Sequence, residues 1–130
     1  MTEYLDFEDI LDAHDRALQV TPAEPPGILD AGAIAAAVAR PQATVFGDDA
    51  YPTVWEKAAA MLHSLVCNHG FMSANKRTAW LSAVVFLALN DHPLSPAHNP
   101  AEVTEFVIGV AEHRYQDVTT IAGMLLKFFH

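Results

Sequence analysis

The segment Thr78–Leu89, TAWLSAVVFLAL, does most to constrain the fold. Together with the residues just before it, it reads as a helix from about Asn75 to about Asn90. Trp80, Leu81, Val84, Val85, Phe86, Leu87 and Leu89 put apolar side chains almost all the way round it. A helix with no polar face belongs in the centre of a domain. Ser82 interrupts the run, which is too short to cross a bilayer. Other elements must therefore surround it.

Those elements are also helical. Asp6 can cap a first helix to about Val20, on which Phe7, Ile10, Leu11, His14 and Leu18 share a face. Three prolines and a glycine in TPAEPPG then break the chain. Asp30 can cap a second helix that stops at Arg40, before Pro41, and a loop through Gly47 follows. Thr53 and Glu56 have the spacing of a capping box for a third helix, about Val54 to Asn68, with Trp55, Ala58, Ala59, Leu62, Leu65 and Val66 as its apolar stripe. A fifth helix runs from Ala101 to about His113, and Asp117 can cap a sixth. Strand alternation is poor and no internal repeat is present. The expected fold is all-α: a compact bundle of about six helices around a buried central helix, as one domain over 1–130.

The chain is 52% hydrophobic and 18% charged, a globular balance. Cys67 is its only cysteine, so no internal disulfide can form; a reduced, cytoplasmic setting fits. The N-terminus, MTEYLDFEDILD, lacks the basic region of a signal peptide. No membrane association is expected. The formal net charge of -9 argues against broad, direct nucleic-acid binding. It leaves room for one small anion pocket.

Such a pocket is suggested by NHGFMSANKRTAW, Asn68–Trp80, between the third helix and the apolar one. A helix N-terminus carries unpaired N–H groups and partial positive charge. Gly70, Ser73 and Ala74 are small and let a ligand approach the backbone. Lys76 and Arg77 oppose the helix dipole unless an anion, most naturally phosphate, neutralises them. His69 can accept a proton from an attacking hydroxyl. Phe71 is a loop anchor, best explained by burial. Asn75, at the cap position, can bond the first helical N–H groups or a ligand.

HGFMSANKRTA resembles the Fic/Doc family motif, which in the Doc branch (death-on-curing toxins) reads approximately H-x-F-x-D-[AG]-N-K-R-T-A. LDAHDRAL, GILDAGAIAAAVARPQATVFG, YPTVWEKAAAMLHSLVCNHGF and TAWLSAVVFLALNDHPL also resemble Doc-type segments, in the same order, from about Leu11 to about Leu94. The resemblance implies a Fic fold and ATP with Mg²⁺ as cofactors. Fic proteins generally transfer AMP to a target hydroxyl; Doc-type members transfer the terminal phosphate to a threonine of translation elongation factor Tu and arrest protein synthesis. Carried over by position, His69 is the general base and Arg77 its catalytic companion. Gly70, Ser73, Ala74, Asn75, Lys76 and Arg77 bind the nucleotide phosphates, and Asn75 also orients the loop. Lys76 stands where AMP-transferring members carry Gly, which favours the Doc branch. Doc-type toxins pair with an antitoxin whose C-terminal segment fills a groove on the toxin. The Ala- and Leu-rich first two helices are the expected place for it, and the acidic charge suits a basic segment.

One position departs from the motif. The expected magnesium-holding acid is Ser73, a neutral and weaker ligand. Three readings are open: the nucleotide itself holds most of the metal and activity is reduced, another acid such as Asp48 or Asp49 supplies the carboxylate, or the chain has lost transferase activity and keeps a binding role. Elsewhere, His14 and His63 read as core or rim histidines, His92 and His98 as loop residues and Cys67 as a packed thiol. Arg40 reads as the last helical residue; the resemblance, since Doc-like proteins often have Arg-Pro here, implies a contact with the motif loop.

Overall fold

Side-chain caps open five of the six helices, and the exception is the helix that follows the motif loop. The structure is a computed structural model that describes residues 1–130. Asp6 opens α1 (Phe7–Val20), accepting from the Asp9 N–H at 2.9 Å while the Asp9 carboxylate accepts from the Asp6 N–H at 2.8 Å. Asp30 caps α2 (Ala31–Ala39), Thr53 caps α3 (Val54–Cys67), Asn99 caps α5 (Pro100–Ala111) and Asp117 caps α6 (Val118–Leu125). The uncapped helix is α4 (Asn75–Leu89).

The fold is an all-α bundle of six helices, but its centre is α3 rather than the expected α4. The chain from Lys57 to Leu62 is buried without interruption, and α3 packs against α2, α4, α5 and α6. Ala58, Ala59 and Ala60 explain this: side chains this small let several helices approach one axis. Around α4 the burial is one-sided. Thr78, Ala79, Ser82, Ala83, Phe86 and Leu87 face inward, while Val85 is 40% and Leu89 51% exposed. Trp80 is half-buried, its ring 5.7 Å from those of both Phe128 and Phe129 near the C-terminus. The face of α1 falls where its spacing predicts, with Ile10, Ala13, His14 and Ala17 buried.

The segment expected as a loop through Gly47 contains a small antiparallel hairpin, β1 (Thr44–Val45) and β2 (Asp48–Asp49). Phe46 and Gly47 turn the chain, both at positive φ (52° and 85°), as a two-residue hairpin turn requires. Strands two residues long have no periodicity to read. The hairpin is tied to α3 by Lys57, only 2% exposed, whose ammonium donates to Asp49 Oδ2 at 3.1 Å and to the Tyr51 carbonyl. Arg40 does not reach the motif loop. Its guanidinium donates to the Tyr51 hydroxyl (2.9 Å), the Ala60 carbonyl (3.1 Å) and Ser64 Oγ (2.9 Å), and lies 3.0 Å from His63 Nδ1. No helix is long and apolar enough to cross a membrane.

Candidate active site

The loop between α3 and α4 is bracketed by two non-glycine residues in left-handed backbone, His69 (φ 47°) and Ala74 (φ 60°). His69 follows the C-cap Asn68 of α3, a position where glycine is usual. An L-residue there costs roughly 1–2 kcal/mol. Such strain in a motif residue needs a reason beyond local stability. At the other end, Ala74 opens α4 with no side-chain cap, so the N–H groups of Asn75, Lys76 and Arg77 begin the helix with no intrahelical acceptor.

The Asn75 side chain does not cap these groups; it orients the loop, the role that the resemblance implies for it. Its Oδ1 accepts from the Phe71 N–H and its Nδ2 donates to the Phe71 carbonyl, both at 3.1 Å. Phe71 itself is 2% exposed. Gly70 is buried against α2: a Cβ on it would lie 2.5 Å from Ile34 Cγ1. Its carbonyl accepts from the N–H groups of Leu29 (2.8 Å) and Asp30 (3.0 Å). The missing side chain makes room for Ile34.

A cavity of about 730 Å³ opens beside the loop. His69, Ala74, Asn75, Lys76 and Arg77 line one side of it, and Val103, Thr104, Val107 and Ile108 of α5 line the other. The structure thus brings five of the motif residues around one space; Gly70, Phe71 and Ser73 are outside its lining. Lys76 is exposed and forms no ion pair. Arg77 is held from one side: it donates to the Ala17 carbonyl (3.2 Å), to Thr21 Oγ1, and to Glu24 Oε2 at 2.5 Å.

Glu24, Trp80 and Glu112 also line the cavity, and no sequence pattern points to Glu24, Thr104 or Glu112 there. Glu24 sits in TPAEPPG, where prolines dominate the reading. An acid in a turn has no face, so only the tertiary fold shows that it reaches Arg77.

The donors present do not fit a magnesium ion held by the protein. Ser73 Oγ donates to the Pro25 carbonyl at 2.7 Å. The cavity carboxylates are paired, Glu24 with Arg77 and Glu112 with Arg114 at 3.1 Å. No three His, Cys, Asp or Glu side chains converge as a metal cluster, and Asp49 is engaged by Lys57. His92 and His98 bond separate carbonyls, of His130 and Ser95.

Behind the loop, His14 is buried, with Nδ1 3.0 Å from Thr78 Oγ1 and Nε2 without a partner. Burial lowers its pKa; Asp15 opposes that shift and Arg77 adds to it. Cys67 is a free, half-buried thiol whose pKa burial raises.

Fold and site together define a class: all-helical proteins that gather a strained histidine and two cations at an uncapped helix N-terminus. The comparisons agree on which. The model of the Fic/DOC family matches residues 4–87. The chain is also 44% identical over 128 residues to Toxin Doc of Mycolicibacterium smegmatis (strain ATCC 700084 / mc(2)155), covering 98% of this chain and 95% of that protein. The chain belongs to the Fic/DOC family.

Proposed function

We propose that this protein is a Doc-type toxin that transfers the terminal phosphate of ATP to a hydroxyl of a protein target, translation elongation factor Tu, in the cytoplasm. The observation that carries the reading is the single cavity in which His69 meets the open first turn of α4 with Lys76 and Arg77. The similarity to Toxin Doc supports it.

In this reaction His69 accepts the proton of the target hydroxyl as its oxygen attacks the γ-phosphorus. The bond from that phosphorus to the bridging oxygen breaks, and ADP leaves with the electron pair. The charge on the transferring group is met by the first-turn N–H groups, Lys76 and Arg77. The N–H groups and Arg77 are held before the reaction, so they need little reorganisation. Mg²⁺ enters with the nucleotide as part of the substrate. The apolar side chains of α5 and Trp80 offer a wall for the less polar part of the nucleotide. An antitoxin segment, basic to suit the acidic chain, neutralises the toxin.

The test uses ATP labelled at the α- or γ-phosphate with purified elongation factor Tu. The expected result is label from the γ-position only, abolished in His69→Ala, which also loses growth arrest in cells. Label from the α-position would make the protein an AMP transferase. A second reading follows from Ser73, whose hydroxyl is taken by Pro25: a Fic-fold binding module that binds ATP and transfers nothing.

A further inference from the structure

The segment Thr21–Asp30 after α1 lies along the motif loop as a strap and is hydrogen-bonded to it at several points. The Leu29 and Asp30 N–H groups donate to the Gly70 carbonyl, and the Met72 N–H donates to the Gly27 carbonyl at 3.0 Å. Ile28 and Phe71 form an isolated antiparallel bridge. Thr21 and Glu24 accept from Arg77. Only one motif side chain donates to the backbone of the strap, and it is Ser73, to the Pro25 carbonyl at 2.7 Å.

We infer that Ser73 is a positioning residue: its hydroxyl clasps the strap to the motif loop, and the clasped strap fixes the Arg77 guanidinium for phosphate. The chemistry at 73 requires a donor. Pro25 is followed by Pro26, so the strap is stiff here and presents a fixed carbonyl. A hydroxyl donates to it. An ionised carboxylate has no proton to donate, and would set a negative oxygen against a carbonyl oxygen. The acid expected from the motif and this strap are therefore incompatible at one position. Serine here is an adaptation to the strap rather than a weakened metal ligand.

The effect on Arg77 follows from geometry. Its Nη1 is held by the Ala17 carbonyl and Thr21, and its Nη2 by Glu24. Two of these three acceptors belong to the strap. With the strap clasped, the guanidinium has one orientation; with the strap loose, it must be ordered by the incoming phosphate, and affinity falls.

That last step rests on the reading of Arg77 as a phosphate ligand, so the experiment has two arms. In the first, amide hydrogen exchange is measured in the full, nucleotide-free chain for wild type, Ser73→Ala, Ser73→Asp and Ser73→Thr. The expected result is exchange on the order of fivefold faster at Leu29, Asp30 and Met72 in the Ala and Asp variants, the worth of one hydrogen bond, with Thr at the wild-type rate. The Leu62 amide in α3 stays unchanged and reports an intact fold. In the second arm, ATP affinity is titrated across Mg²⁺ concentrations. The Ala and Asp variants bind ATP several-fold more weakly than wild type, with unaltered Mg²⁺ dependence, and Thr restores binding. Unchanged exchange in Ser73→Asp together with a stronger Mg²⁺ dependence would overturn the clasp and return position 73 to the metal. Wild-type protein that binds no ATP would sink the phosphate reading, while the exchange pattern still decided the clasp.

Discussion

His14 and Phe71 lie face to face, ring centroids 3.8 Å apart and planes within 12°. One ring comes from α1 and the other from the motif loop. The His14 Nδ1 contact with Thr78 carries the same stack to the first turns of α4. One buried histidine thus links the helix on one side of the loop to the anchor inside it.

Phe71 is the more costly member to lose. Phe71→Ala removes a buried aromatic and should destabilise the fold by about 3–5 kcal/mol. Phe71→Leu keeps most of the apolar bulk and should cost clearly less. Urea unfolding measures both. Equal, small losses in the two variants would mean that the loop is not anchored by this ring.

The histidines give a pH dependence of known sign. Burial lowers the His14 pKa from its ordinary value of 6.5, and burial followed by Arg40 and His113 lowers that of His63. Below pH 6.5 the unfolded chain binds protons that the folded chain refuses. The contribution is therefore complete above the unfolded value and is lost as pH falls through the interval down to the folded one. Melting temperatures on either side of that value should fall less in His14→Gln than in wild type. An identical drop would show that His14 is not held neutral.

Lys57 and Asp49 should respond unequally. Asp49→Ala leaves a buried ammonium with only the Tyr51 carbonyl and should cost roughly 2–3 kcal/mol. Lys57→Met removes the charge, keeps the volume and leaves Asp49 to water; it should cost about 1 kcal/mol. Chemical denaturation of the two variants decides the order, and the reverse order would mean that the charge of Lys57 is not confined.

Gly70→Ala forces a methyl group against Ile34 and should cost about 1–3 kcal/mol. Ile34→Ala opens the space it needs. In a double-mutant cycle the pair should therefore cost less than the two changes added together. Strict additivity would place the clash elsewhere.

The sequence was legible where the relevant physics is local. Asp6, Asp30, Thr53 and Asp117 each cap a helix three residues from the N–H they accept, and each was visible as a pattern. The motif loop was legible because its histidine, glycine and cations lie close together in one short stretch, His69–Arg77. Where partners lie far apart in the chain, the reading failed. Composition favoured α4 as the centre, yet the small residues of α3 admit more neighbours. Arg40, expected near the motif loop, is bonded instead to Tyr51, and Lys57, which carries no signal in the sequence, is bonded to Asp49. Asn75 looked like a cap, but Ala74 takes that place in left-handed backbone and frees the amide for Phe71. Glu24 and Pro25 lie more than forty residues from Arg77 and Ser73, and no periodicity links them.

The hairpin turn at Phe46-Gly47 divides the chain in an unusual place. Phe46 is fully exposed, and a chymotrypsin-like protease would meet it first. Yet Arg40, before the turn, is bonded to Tyr51, Ala60 and Ser64, all after it. A cut at the tip would sever the chain without separating the halves. The two fragments, made as separate polypeptides, should find each other and rebuild the histidine site from pieces that are each inert alone.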